Sequence, residues 1–247
     1  MLSKNQIKDI KQLHLTKFRH QFRQFIAEGP KLVEEFLNSN FRISQIYGTK
    51  DWQYAGEHKL QNFSLISDKG LAAISLMSTP NQVIAIIDYP ESAAMEFAKG
   101  DLIIALDTIQ DPGNLGTIIR IADWFGIKKI VCSPSTADAF SPKVVQASMG
   151  ALTRINITYL ELEPWLKELP ENTAIYGALL DGKNIYSTDI QQQGIIVIGN
   201  ESKGISESIE KLITHKIKIP AHSESKMESL NAAIATAIIC AEFRRPR

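Results

Sequence analysis

The stretch from Leu102 to Gly126 constrains this chain more than any other. It opens with Leu102-Ile103-Ile104-Ala105-Leu106, a short apolar run of the kind that forms a buried strand. The polar turn Asp107-Thr108-Ile109-Gln110-Asp111-Pro112-Gly113-Asn114 follows, shaped by Pro112 and Gly113 and with Asn114 placed as an N-cap. Leu115, Ile118, Ile119, Ala122 and Phe125 then recur at helical spacing, and Gly126 is well placed to stop the helix. Arg120 points away from that apolar stripe. A capped turn after a parallel strand is where α/β proteins bind ligands, although an ordinary strand-helix junction has the same outline. The glycines read Gly-x-x-Gly, and neither Gly-x-Gly-x-x-Gly nor Gly-Lys-Ser/Thr occurs here, which argues against a dinucleotide fold or a P-loop.

Strand and helix alternate along the rest of the chain. Residues 3–22 carry a helical stripe of Ile7, Ile10, Leu13, Phe18 and Phe22, interrupted near Leu15-Thr16. Strands are predicted at 24–26, 43–47, 63–66 and 83–87, with helices at 31–37 and 69–76 between them. Pro30 stands at the first position of one of these helices. Asp88-Tyr89-Pro90-Glu91-Ser92 breaks the pattern and places a domain boundary before Lys99-Gly100. Beyond it, strands are predicted at 129–132, 174–178, 194–199 and 217–220. A helix opens at Ser141-Pro142, and an alanine-rich helix follows Ser229, which is positioned to cap it. The expected domains are therefore residues 1–90 and 100–247.

Composition narrows the class. Net charge is zero, so a nucleic-acid role cannot rest on overall charge. Its distribution is uneven: residues 1–31 hold Lys4, Lys8, Lys11, Lys17, Arg19, Arg23 and Lys31 against Asp9 and Glu28, and the chain ends Arg244-Arg245-Pro246-Arg247. Either patch suits phosphates, and either also suits a solvated helix face or a frayed tail. No apolar run approaches the ~20 residues of a membrane span, and the N-terminus lacks the apolar core of a signal peptide. Cys132 and Cys240 lie in apolar segments, as buried thiols of a reducing compartment do, and no zinc-ligand spacing occurs. The expectation is a cytoplasmic, metal-free protein.

Three stretches, in order, carry a resemblance. Asp111-Pro112-Gly113-Asn114-Leu115-Gly116 with Arg120, Ala122, Phe125 and Gly126 resembles the first motif of the SpoU/TrmH family, the RNA ribose 2′-O-methyltransferases of the SPOUT superfamily. Gly199-Asn200-Glu201-Ser202-Lys203-Gly204-Ile205 resembles the second motif. Ile219-Pro220 with Glu228-Ser229-Leu230-Asn231-Ala232-Ala233 resembles the third. Each follows a predicted strand. Taken alone, the second motif also fits a glycine-bounded loop with a solvent glutamate, and the third a tightly packed core helix. Residues 22–29 with Glu34-Glu35, and Thr79-Pro80, are similar to the family's N-terminal domain, and Ser148-Met149-Gly150-Ala151 to a further family segment. Asn81-Gln82 stand where the family often has a glycine, and Gln146 where it commonly has an arginine.

The resemblance implies an α/β fold: a C-terminal parallel-sheet domain of SPOUT type tied in a deep trefoil knot, plus a small ribosomal-protein-like α/β domain that grips RNA. It implies S-adenosyl-L-methionine as cofactor, a homodimer, and ribosomal RNA as partner in preference to transfer RNA. The polar chemistry falls to Asn114, Arg120, Glu201, Ser229 and Asn231. The cofactor pocket falls to Ala178, Leu179, Gly199, Asn200, Gly204, Ile219 and Leu230. RNA contacts are expected from Lys17, Arg19, Arg23 and Lys143. Two rivals stand beside this reading: an RNA-binding protein of the same fold without catalysis, and a nucleotide-dependent enzyme of ordinary doubly wound type.

Overall fold

The computed structural model describes residues 2–54, 56, 62–91 and 95–246. Ser92 of the expected domain break and Arg247 of the basic tail lie outside the described residues. In chain order the first half carries α1 (Lys4–Gln12), α2 (Thr16–Phe22), β1 (Gln24–Glu28), α3 (Pro30–Leu37), β2 (Ile43–Gly48), β3 (Phe63–Leu65), α4 (Asp68–Ile74) and β4 (Val83–Asp88). The second half carries β5 (Leu102–Leu106), α5 (Pro112–Trp124), β6 (Lys129–Cys132), α6 (Pro142–Ser148), β7 (Asn156–Tyr159), α7 (Leu162–Lys167), β8 (Ile175–Asn184), β9 (Gly194–Ile198), α8 (Glu207–Glu210), β10 (His215–Lys218) and α9 (Ala232–Phe243). These assort into two units: Met1–Ser92 with Asp138–Arg154, and Ala93–Ala137 with Ile155–Arg247. The α6 segment, although it lies between β6 and β7 in sequence, belongs to the first unit.

In the first unit, four described strands form a sheet of order β1-β4-β2-β3, with β4 antiparallel to both β1 and β2. Helix α1 starts at a capping box in which the Ser3 hydroxyl accepts from the Gln6 N–H and the Gln6 side chain accepts from the Ser3 N–H. Its Ile10, and Leu13 just beyond it, pack with Ile26, Tyr47, Ile84 and Ile86 of the sheet and Leu71 and Ile74 of α4. Strand alternation sends Phe25 to the opposite face, where its ring centroid lies 5.5 Å from Phe36 and 4.9 Å from Phe140.

In the second unit, six described strands run parallel in the order β10-β8-β9-β5-β6-β7. The central strands explain their composition. Ile103, Ile104, Ala105 and Leu106 of β5 and Ile195, Ile196 and Val197 of β9 are fully buried, so both faces demand apolar side chains. The chain lays down β5, β6 and β7 in one direction. It then places β8 on the far side, and β9 fills the slot between β5 and β8. The order reverses beside β5, so the crevice beyond the carboxyl ends of β5 and β9 is the expected ligand position.

The β8 strand runs well past the predicted 174–178, and its pairing with β10 is interrupted. Lys216 pairs with Gly177, but the next residue, Ile217, pairs with Lys183. Ala178–Gly182 therefore bulges out of that ladder, and pairing with β9 stops at Gly177. Gly182 returns the strand to β10 so closely that an added Cβ would stand 2.5 Å from the Ile217 carbonyl carbon. Backbone cannot yield as a flexible side chain does. Gly182→Ala is expected to cost about 3 kcal/mol, the upper part of the range for overpacking, read as a shift in the denaturant midpoint. An unchanged midpoint would show that β10 relaxes around the methyl group.

Candidate active site

The site is built from the loops that leave the carboxyl ends of β5, β6, β9 and β10, together with the bulge within β8 and the first turn of α9. Asp107 ends β5. It is buried, its Oδ2 accepts from the Ser206 N–H at 2.8 Å, and its Oδ1 accepts from the Thr108 hydroxyl at 3.1 Å. The helix that follows corrects one expectation. Asp111, not Asn114, is the N-cap of α5, and its carboxylate accepts from the Asn114 N–H at 2.8 Å. Pro112 explains the shift: it has no N–H to lose at the first helical position, so the cap falls to the residue before it.

Asn114 is left with its side-chain amide free to reach across. Its Nδ2 donates to Glu201 Oε1, and its Oδ1 accepts from Asn231 Nδ2 at 2.9 Å. The Oδ1 of Asn231 in turn accepts from the Ala233 and Ile234 N–H groups, at 3.0 and 3.3 Å. Asn231 is thus the cap of α9, and Ser229, expected in that role, is an exposed residue ahead of it. The side chains of Asn114, Glu201 and Asn231, one from each of the three motifs, form a single hydrogen-bonded chain.

The loop after β9 is a tight turn. Asn200 and Gly204 exchange both backbone hydrogen bonds at 2.9 Å, and a Cβ on Gly199 would stand 2.3 Å from the Gly204 carbonyl carbon. Gly204 has φ of 70°, a left-handed conformation suited to glycine. Asn200 was expected at the cofactor, but its amide is occupied within the protein. Its Oδ1 accepts from the Ser202 and Lys203 N–H groups, and its Nδ2 donates to the Thr108 carbonyl at 2.8 Å.

Ala178 and Leu179 sit half-buried at the start of the β8 bulge, Ile219 half-buried one residue past β10, and Leu230 exposed just before α9. Bulged backbone outside the ladder offers N–H and C=O groups, and the half-exposed aliphatic side chains offer apolar walls. This combination fits an adenosine held mainly by main chain. No group of three or more His, Cys, Asp or Glu side chains able to hold a metal ion occurs among the described residues.

Arg120 lies on the exposed side of α5, in a row with Thr117 and Trp124, and its side chain makes no hydrogen bond or ion pair among the described residues. The structure does not bring it to Glu201. In the first unit, Lys17 is exposed with its Nζ 5.9 Å from the Phe18 ring. Arg23 is exposed, bonds the Pro90 carbonyl at 3.2 Å and lies over the Tyr89 ring, and Lys143 is exposed on α6. Arg19 is a correction. Expected to meet RNA, it is buried, and its guanidinium donates to Asp138, to the Leu13 and His14 carbonyls and to Thr16. Five N–H donors on one planar group make arginine able to satisfy such a cluster from inside the protein.

Comparison with known proteins joins these observations. Residues 101–241 match the model of the SpoU rRNA Methylase family, and residues 4–85 match that of the MRM3-like substrate binding domain. A 23S rRNA (guanosine(2553)-2′-O)-methyltransferase of Bacillus subtilis is 31% identical over 247 aligned residues, covering 98% of this chain and 97% of that protein. A structure described as a putative RNA methyltransferase of the TrmH family from Porphyromonas gingivalis superposes with a TM-score of 0.90 at 40% identity, covering 99% and 98% of the two chains. An AdoMet-bound rRNA methyltransferase from Sinorhizobium meliloti superposes with a TM-score of 0.86 at 28% identity, over 99% and 95%.

Proposed function

The chain belongs to the SpoU rRNA methylase family, and on that premise we propose that it methylates the 2′-hydroxyl of a ribose in RNA, using S-adenosylmethionine. The observation that carries this reading is the chain of hydrogen bonds from Glu201 through Asn114 to Asn231, which ties the three motifs together at the reversal point of the sheet. Ribosomal RNA is the favoured substrate, supported by the relatives' names and by the N-terminal match to a substrate-binding domain.

The cofactor supplies a methyl group on a sulfonium, ready for in-line displacement. Ala178, Leu179, Gly199, Gly204, Ile219 and Leu230 would hold it. The rest of the work falls to the protein's polar groups, because a ribose hydroxyl is a weak nucleophile and must be oriented. Asn114 has both ends of its amide committed, so its role is to fix the turn from which α5 departs. Arg120 remains protonated at neutral pH and does not serve as a base. Its fork grips the phosphate beside the target ribose and stabilises the charge that develops on the oxygen. Lys17, Arg23 and Lys143 extend the phosphate contacts.

Two further features belong to the proposal. The C-terminal segment threads a deep trefoil knot, supported by the interrupted β8–β10 ladder and the close pass of Gly182 over Ile217. A second copy of the chain covers the face where α5 packs on α9, supported by Trp124 at 85% and Ile234 at 54% exposure. The buried thiols of Cys132 and Cys240 suit a reducing compartment, the cytoplasm. Burial, opposed by the nearby Arg244 charge, pushes the Cys240 pKa up to about 12, which disfavours the nucleophilic thiolate.

Titration calorimetry on chelator-treated protein tests the cofactor assignment, with one S-adenosylmethionine expected per chain. No heat, or a strict metal requirement, would overturn it. Nucleoside mass spectrometry of RNA from cells with and without the gene then identifies the methylated ribose.

A further inference from the structure

We propose that Thr108 is a positioning residue: a strained turn residue, clasped at both its backbone ends, that sets the aim of Asn114 and couples it to the loop carrying Glu201. Thr108 has φ of 61°. For a β-branched residue this left-handed conformation is an outlier, because the branched Cβ crowds the following carbonyl. Such strain persists only where the surroundings over-determine it.

The surroundings of Thr108 do so from separate loops. The Ser133 hydroxyl, just after β6, accepts from the Thr108 N–H at 2.9 Å. Asn200, just after β9, donates from Nδ2 to the Thr108 carbonyl at 2.8 Å. The Thr108 hydroxyl itself sits 2.9 Å from that of Ser135 and donates to Asp107. Ser133 is held in turn by the Ser135 and Thr136 hydroxyls at 3.2 and 3.0 Å.

The clasp is one of three side-chain rungs between the same loops, and the Ser206 N–H to Asp107 bond lies at the β5 end of them. Asn200 bonds Thr108, and the next residue, Glu201, bonds Asn114. Between these last two rungs on the other side lies only the short turn into α5. Should the Thr108 rung break, Thr108 relaxes towards negative φ, the turn rotates, and the Asn114 amide loses its alignment with Glu201 and Asn231.

Asn200→Asp isolates this rung. The carboxylate still accepts from the Ser202 and Lys203 N–H groups, so the loop keeps its own turn, but it cannot donate to the Thr108 carbonyl. Methyl transfer is expected to slow about tenfold in kcat, the rate equivalent of one hydrogen bond's worth of alignment, with the KM for RNA unchanged. Thr108→Gly alone is expected to slow it only about twofold, because glycine adopts this φ without steric cost. Combined with Asn200→Asp, Thr108→Gly should restore most of the lost rate, since an unstrained turn needs no clasp. Thr108→Ala, which keeps the strain and removes the hydroxyl, should not.

The rate readout rests on the methyltransferase reading. A second readout does not: the side-chain amide NMR resonance of Asn114 should shift in Asn200→Asp and return in the double variant, with or without RNA. If Asn200→Asp fails to fold, Ser133→Ala breaks the other end of the clasp and the same Thr108→Gly rescue applies. Native-like kcat and an unmoved Asn114 resonance in Asn200→Asp would overturn the proposal. Losses that simply multiply in the double variant would do the same.

Discussion

Arg120→Ala is expected to lose methyl transfer by about 100-fold or more, the usual cost of removing a group that stabilises charge in the transition state, while its affinity for S-adenosylmethionine should stay close to native. The split follows from where α5 places the side chain. Asn114 is tied inward to Glu201 and Asn231. Arg120 stands about 9 Å further along the helix axis, on the exposed row with Thr117 and Trp124. The residues proposed to hold the cofactor come from the bulge within β8 and the segments after β9 and β10, not from this part of α5. Arg120→Lys should also fail, since a point charge replaces a planar fork. Single-turnover rates on saturating RNA, with calorimetry for the cofactor, make the measurement. A lysine variant at near-native rate would mean that charge alone suffices. An alanine variant with most of its activity and normal RNA binding would remove Arg120 from the chemistry.

The second large effect is on stability. Arg19→Ala is expected to destabilise the first unit by about 3 kcal/mol, because removing one partner of a buried pair strands the other. Arg19 donates twice to Asp138 Oδ2, at 2.6 and 3.0 Å, and also holds the carbonyls of Leu13 and His14 at 2.9 and 2.6 Å. One side chain thus closes the turn between α1 and α2 and anchors the segment beginning at Asp138. The side chain of Asp138 keeps 16% exposure, and for that reason the expected loss lies at the lower end of the range for buried pairs. Denaturant unfolding of Arg19→Ala and Arg19→Lys against the native chain gives the numbers. A loss below about 1 kcal/mol, the scale of an exposed pair, would show that water replaces the guanidinium. RNA affinity measured on the folded variant separates this structural role from direct contact.

The sequence was most legible where local chemistry and tertiary demand agree. The apolar runs of β4, β5 and β9 are buried on both faces, and their composition says so. The break at Leu15-Thr16 appears as the start of α2. Asn156–Tyr159 became a strand, β7, although only its central residues are β-branched, because pairing with β6 overrides weak propensity. The site was legible as three motifs but not as a network. The caps expected at Asn114 and Ser229 fall to Asp111 and Asn231 instead. Arg19 was misassigned because a basic residue in a basic stretch carries no mark of burial, and Asp138, its partner, lies 119 positions away. The left-handed Thr108 was invisible for the opposite reason. Threonine is among the residues least suited to that conformation, and only the hydroxyl and amide from two later loops make it stable there.

The insertion of β9 between β5 and β8 has a consequence for how the chain is made. In the finished sheet β5 pairs with β6 on one side, and its other edge is filled only by Gly194–Ile198, which is made much later. On the other side, β8 waits for β9 and then for β10. The sheet is joined across its middle only when β9, as deeply buried as β5, takes its place between β5 and β8. Such long-range parallel pairing is intrinsically slow and leaves strand edges open to wrong partners in the meantime. The arrangement that creates the ligand crevice therefore also leaves an apolar strand edge of the nascent chain uncovered until β9 has been made.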